Sequence, residues 1–200
     1  MLMRRQIVLT LALMPITFGL WYAAGPLFVG PAVWLCDIAL GHLYPTLFDS
    51  AGLRGAELQL TTQFGELAGQ ILPAKEAGNQ FALEINTRLV SYSIAFYGAL
   101  LLASNVQNSV YKFCTGLFWL WLIMAIGLAS IAGKDLLILV GEPFLSTELV
   151  PPADVIALTY QFNVLLMPTL APVFVWFWQL QGSPLWEQLA ADITRASGRA

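Results

Sequence analysis

Charge is what this sequence has least of. Only 10% of its 200 residues are Asp, Glu, Lys or Arg, against about a quarter in an ordinary soluble domain. The mean hydropathy of +0.72 and 58% hydrophobic content exclude a disordered chain, which needs low hydrophobicity and high net charge. Nine basic residues spread over the chain and a pI near 5.0 form no basic stripe, so nucleic-acid binding is not expected. Two cysteines and one histidine are too few for a disulfide framework, a thiolate zinc site or a histidine cluster. No phosphate loop or dinucleotide fingerprint is present, and no cofactor is expected. Intramembrane pairs of ionisable residues, the signature of proton relays and ion-coupled transport, are lacking as well.

Long apolar runs take the place of these features. A spanning helix needs about 20 mostly apolar residues to cross about 30 Å of hydrocarbon. Four stretches satisfy this: about Ile7–Ala24 with a kinked or interfacial continuation to about Leu43, then Leu89–Val106, Val110–Ala132 and Val155–Leu180. Pro15, Gly25-Pro26 and Gly30-Pro31 interrupt the first, where a helix bends or ends. A cleaved signal peptide is the competing reading, with Arg4-Arg5 as its basic region and Tyr22-Ala23-Ala24 as its cleavage site. The apolar run outlasts an ordinary signal core of about 7–15 residues, so an uncleaved anchor is expected. The fold class is therefore an all-α integral membrane protein, residues 1–200 forming one membrane domain with about four transmembrane helices.

Basic residues set orientation. Arg4, Arg5, Lys112, Arg195 and Arg199 fall on one side, in short segments. Arg54, Lys75, Arg88 and Lys134 fall on the other, in longer loops. Both termini are expected in the cytoplasm. Trp21, Tyr22, Trp176 and Trp178 suit the headgroup level, where an apolar ring and a polar N–H or O–H are both satisfied. Trp119 and Trp121 read as packing or lipid contacts.

The outer segment 44–88 is the largest soluble-looking piece. Ala56 to Phe64 and Gln80 to Asn86 alternate polar and apolar residues with period two, which predicts two antiparallel strands with one wet face. Leu58, Leu60, Thr62, Phe64, Phe81, Leu83 and Ile85 share the apolar face. Glu57, Gln59, Glu84 and Asn86 are presented outward, making Glu57, Glu84 and Asn86, with Arg88 at the foot of the next span, the candidate partner contacts. Gly65 to Asn79, with three glycines and Pro73, reads as a long loop. The second outer loop, Gly133 to Asp154, carries Glu142-Pro143, Glu148 and Pro151-Pro152 and reads as irregular and acidic, with Asp154 as N-cap of the last span.

Inside the last span, Gln161 and Asn163 are expected to hydrogen-bond across helix interfaces. Pro168 and Pro172 should kink it, freeing carbonyls near Val164 and Pro168. A thiol enzyme would have to be assembled from Cys36, Asp37 and His42. On a helix, however, Cys36 and Asp37 diverge by about 100° and His42 is not at a facing position. Cys114 sits in an apolar helix and reads as inert. No catalytic or metal-binding residue is assigned.

The order of parts resembles a known family. Phe18-Gly19-Leu20-Trp21-Tyr22 and Gly25-Pro26-Leu27 close the Arg-led first span, and an outer two-strand insertion follows. Phe81-Ala82-Leu83-Glu84-Ile85-Asn86 leads into Tyr92-Ser93-Ile94-Ala95-Phe96-Tyr97-Gly98 and Ala99-Leu100-Leu101-Leu102-Ala103. Ala157-Leu158-Thr159-Tyr160-Gln161-Phe162 and Pro168-Thr169-Leu170-Ala171-Pro172 mark the last span. This is similar to the exosortase H-associated membrane proteins, small polytopic proteins encoded with a bacterial exosortase. The resemblance implies an accessory role, in the bacterial inner membrane, in sorting exported proteins that carry a C-terminal recognition motif, a transmembrane helix and a basic tail. Its expected partners are membrane lipid and either the exosortase or the sorted substrate. No catalytic residue is carried over, because exosortases use a membrane-embedded Cys with Arg partners, and neither Cys36 nor Cys114 has an arginine in a matching span. The alternatives are a subunit of a membrane transport or secretion complex, or a Cys-dependent membrane enzyme.

Overall fold

Three prolines in the first apolar run do not break it. In the computed structural model, helix α1 runs unbroken from Leu2 to Leu43, 42 residues. The structure describes residues 2–147, 150–183, 186–187 and 191; Arg195 and Arg199, used for orientation, and Glu148 lie outside the described residues. Pro15, Pro26 and Pro31 each remove one N–H from the ladder. In a helix whose surroundings are apolar, other donors can satisfy the freed carbonyls. The continuation expected after Ala24 is helical as far as Leu43.

The chain continues through strands β1 (Phe48–Arg54), β2 (Glu57–Thr62), β3 (Phe64–Leu67) and β4 (Gln70–Pro73), the short helix α2 (Ala74–Ala77) and strand β5 (Ala82–Asn86). Helices α3 (Arg88–Ser104), α4 (Ser109–Leu139), α5 (Glu142–Leu145), α6 (Ala153–Gln161) and α7 (Met167–Leu180) complete it. A π-helical turn, Phe162–Leu166, joins α6 to α7. The protein is mostly helical, and among the described residues three helical stretches are able by length and composition to cross a membrane: Arg4–Leu43, Ser109–Leu139 and Ala153–Leu180. Helix α3 is apolar but has only 17 residues, about 26 Å at 1.5 Å per residue.

Two boundaries differ from expectation. Helix α4 continues to Leu139, so the first third of the supposed second loop is helical; the ion pair of Lys134 with its neighbour Asp135 and the position of Lys134 over the Tyr160 ring, 5.1 Å from its centroid, allow charge at this depth. Helix α6 begins at Ala153 after Pro152, with no side-chain cap. Asp154 lies in the first turn, where its carboxylate faces the positive end of the helix dipole, rather than at the cap.

The chain divides into two compact units. One contains residues 1–23, 92–120 and 169–200, and its described residues are mainly helical. In its share of α1 the buried positions include Gln6, Thr10 and Thr17, while Ile7, Val8, Leu11 and Ile16 are exposed. That is the inverse of a soluble amphipathic helix and suits a lipid solvent. The turn between α3 and α4 uses Asn105 and Asn108 in the left-handed region, conformations Asn tolerates better than most residues.

The other unit contains residues 24–91 and 121–168. Its share of α1 buries Val29, Ala32, Val33, Cys36 and Leu40, a single face at helical spacing. The insertion is richer than the two expected strands. Strands β1, β2 and β5 form an antiparallel sheet with β2 in the middle, and β3 and β4 pair separately. The expected pairing of the two alternating runs is present, with Leu58 opposite Ile85 and Leu60 opposite Leu83. Leu58, Leu60, Thr62, Leu83 and Ile85 are buried as predicted, whereas Phe64 belongs to β3 and Phe81 precedes β5. Strand β1 escaped notice because Asp-Ser-Ala-Gly-Leu-Arg has no alternation; it is an edge strand, irregular between Phe48 and Ser50, as edges often are. The 65–79 stretch, read as loop, holds β3, β4 and α2. Gly65 is needed there: a Cβ would collide with the Asn79 carbonyl and amide oxygens. Asn79 uses that approach to mimic a strand, its amide accepting from Glu66 N–H and donating to Glu66 C=O, both at 2.9 Å.

Candidate functional site

The face of the sheet opposite Leu58 and Ile85 is polar, and register arranges it in three rows. Arg54, Glu57 and Asn86 form one; Gly52, Gln59 and Glu84 the second; Ser50, Thr61 and Ala82 the third. Glu57, Glu84 and Asn86 are exposed, as their alternation required. Opposite charges face each other across β1 and β2 at Arg54 and Glu57, and Gln59 donates to Glu84 at 3.2 Å. Small residues Gly52, Ser50 and Ala82 keep the other side of this face flat. The surface is acidic at two points and free of large apolar groups.

The foot of the sheet is held more firmly. The Asn86 side-chain oxygen accepts from the Arg88 backbone N–H at 3.0 Å, capping the start of α3. Thr87 is buried, and its hydroxyl donates to the Ala56 carbonyl at 2.7 Å. Asn86 therefore has a structural bond at its amide oxygen while its side chain stays exposed, and Arg88 is the first, half-buried residue of α3.

The residues of the thiol-enzyme alternative are dispersed. Cys36 is wholly buried. The Asp37 carboxylate accepts the Ala51 backbone N–H at 2.7 Å, closing part of the free edge of β1. His42 is exposed, with Nδ1 2.9 Å from the Ile38 carbonyl. No hydrogen bond joins the three among the described residues, and these hold no metal-ligating group of three or more His, Cys, Asp or Glu. Cys114 is exposed on α4.

The two amides of the last apolar stretch differ in their bonding, Asn163 being hydrogen-bonded to another helix. It lies in the π turn and donates to Ser130 on α4 at 3.2 Å and to the Thr159 carbonyl at 3.0 Å. Gln161 is exposed, and the described residues offer its side chain no hydrogen bond. The expected kink takes the form of this π turn: Pro168 has no N–H to give, and the Met167 N–H reaches back five residues to the Phe162 carbonyl. Gly127 lets α4 approach, since a Cβ there would lie 3.6 Å from the Asn163 carbonyl and 3.0 Å from Val90.

Two polar clusters in the helical unit were missed. Ser104 accepts from Gln6 at 2.9 Å and from the Trp176 indole at 2.6 Å, while donating to the Leu100 carbonyl. Trp176 is thus engaged with protein rather than with headgroups. Tyr97 is fully buried with its hydroxyl against the Lys112 carbonyl at 2.7 Å and the Gln179 side-chain oxygen. Gln179 in turn donates to Lys112 C=O and to Thr115. Gly116 makes this possible, because its Cβ would overlap the Tyr97 ring. In the sheet-bearing unit Trp121, read as a packing or lipid contact, donates to the Phe28 carbonyl of α1 at 2.7 Å. Single polar residues in an apolar sequence carry no partner information, so only their rarity marked them.

Apolar helices of spanning length together with a small polar-faced sheet define a membrane protein. The model of the family described as Exosortase H-associated membrane protein matches residues 1–183, and the chain belongs to that family. No curated protein and no solved structure matches it.

Proposed function

We propose that the chain is a non-catalytic accessory protein of a bacterial exosortase protein-sorting system, docking the exosortase or its sorted substrate through the polar face of the sheet. The observation that carries this reading is the exposed row structure of that face, with Glu57 and Glu84 presented. Membership of an exosortase-associated family supports the partner class. The separation of buried Cys36 from exposed His42 supports an accessory over a thiol enzyme. Helix α3 serves as a short fourth crossing, which together with Arg4, Arg5 and Lys112 in short segments supports an inner-membrane protein with both termini in the cytoplasm.

Acidic positions on a rim select a basic partner surface and act mainly on encounter and specificity. Hypothesis: the double charge reversal Glu57→Lys with Glu84→Lys lowers co-purification of the cognate exosortase or its substrate while the protein's own membrane level is kept. Added salt weakens the wild-type interaction in the same direction, because exposed charges are screened beyond about 8–10 Å. Unchanged co-purification by the double variant, at low and high salt alike, would show that the sheet only caps its own helices.

A further inference from the structure

Helix α1 is too long for the membrane it enters. Residues 6–36 contain no Asp, Glu, Lys or Arg and are helical throughout, a run of about 46 Å at 1.5 Å per residue. A hydrocarbon core of about 30 Å would hold all of it only at a tilt of about 50°, beyond the usual limit of about 40°. One end is pinned by Arg4 and Arg5, whose guanidinium groups stay at a membrane surface. The other end is tied to the sheet by the bond from Ala51 N–H to the Asp37 carboxylate. A sheet with an open edge cannot lie in hydrocarbon, so the sheet end of α1 is the end that emerges.

That emerging segment, residues 24–43, is apolar on two sides. One face, Val29, Val33, Cys36 and Leu40, is buried. The opposite face carries Leu27, Trp34 and Ile38, at spacings of seven and four that align them on one stripe. They are exposed at 82%, 62% and 38%. Pro26 and Pro31 supply the flexure for the segment to lean.

We propose that residues 24–43 form an interfacial anchor whose Leu27–Trp34–Ile38 stripe lies in the bilayer at the headgroup–acyl boundary and holds the sheet at the membrane surface. The occupant of the stripe is lipid. An indole at position 34 suits that level, with its ring in the acyl region and its N–H among headgroups. The chain has no Lys or Arg between Arg5 and Arg54, so the anchor works by apolar insertion without needing anionic lipid. The exposed acids Glu57 and Glu84 on the sheet would be repelled by an anionic surface, which favours their facing water. This anchor does not depend on which protein the sheet docks.

The test is nitroxide accessibility in the full chain, in vesicles of phosphatidylcholine alone and with phosphatidylglycerol added. In a Cys114→Ser background, labels are placed singly at Leu27→Cys, Ile38→Cys, Ser50→Cys and Gly52→Cys. At 27 and 38 relaxation by oxygen exceeds relaxation by a water-soluble nickel chelate. At 50 and 52 the order reverses, and anionic lipid leaves both patterns unchanged. The proposal is overturned if 27 and 38 are as open to nickel as 50, or are shielded from both reagents, which would place water or protein over the stripe. A pattern that appears only with phosphatidylglycerol would also overturn it, as electrostatic adsorption.

Discussion

The two halves of α1 solve opposite problems with one continuous helix. Residues up to 23 bury Gln6, Thr10 and Thr17 and expose Ile7, Val8, Leu11 and Ile16; residues from 24 bury Val29, Val33, Cys36 and Leu40. In the first half apolar surface faces out because lipid tails are as apolar as the side chains, and hydrogen bonds and close packing do the joining. Gln6 accordingly bonds Ser104, which also accepts from Trp176. In the second half an aqueous-type core appears alongside the sheet, with Leu58, Leu60 and Ile85 wholly enclosed. The difference teaches that the solvent of a helix is read from what it hides, since its overall hydropathy is high in both halves.

This contrast can be broken most directly in the sheet. Leu60→Ala removes a side chain that is 1% exposed and leaves a cavity, for which about 2–5 kcal/mol is typical. Thermal unfolding of the protein in nanodiscs should show a clear loss, with the sheet melting before the helices. A shift no larger than that of a surface substitution would mean that the sheet has no core of its own.

The lipid half answers to polar pairs, and more weakly. Ser104→Ala strands the Trp176 indole and leaves the Gln6 amide only its 3.3 Å bond to the Leu100 carbonyl, and interhelical hydrogen bonds in membranes are worth about 0.6–2 kcal/mol. Thr10 is the sharper partner to that change: its hydroxyl is buried and has no hydrogen bond among the described residues. Thr10→Val keeps the shape and removes an unpaired polar atom, which is expected to be neutral or stabilising. The same unfolding assay should rank Ser104→Ala below wild type and Thr10→Val at or above it. Equal losses for both would remove the distinction between bonded and unbonded polar groups in this half.

Three apolar helices of spanning length and the β2–β5 pair were legible because each rests on a pattern sustained over many residues. Leu58, Leu60, Leu83 and Ile85 alternate strictly, and their faces follow without tertiary information. Strand β1 was illegible because Gly52 and Ser50 are chosen for a flat outer surface, and its register is held by β2 and by Asp37 from another element. The extension of α4 to Leu139 was hidden by Lys134 and Asp135, a charged pair that reads as a loop until its mutual ion pair is seen. The candidate contacts Glu57, Glu84 and Asn86 were visible as a wet face, yet the capping of α3 by Asn86 and the placing of Arg54 opposite Glu57 required the fold. Gly116 carried no reading in the sequence and Gly65 only that of a loop; their reason is the Tyr97 ring in one case and Asn79 in the other.

The most direct test places a photo-crosslinking amino acid at Glu84 on the sheet's polar face or at Ile38 on the α1 stripe, in cells that co-express the cognate exosortase and its sorted substrate. The account predicts adducts to one of those two proteins from position 84, lost at high salt in isolated membranes, and lipid adducts alone from position 38. Protein adducts from 38 with none from 84 would contradict it, placing the partner on the helix and leaving the sheet without one.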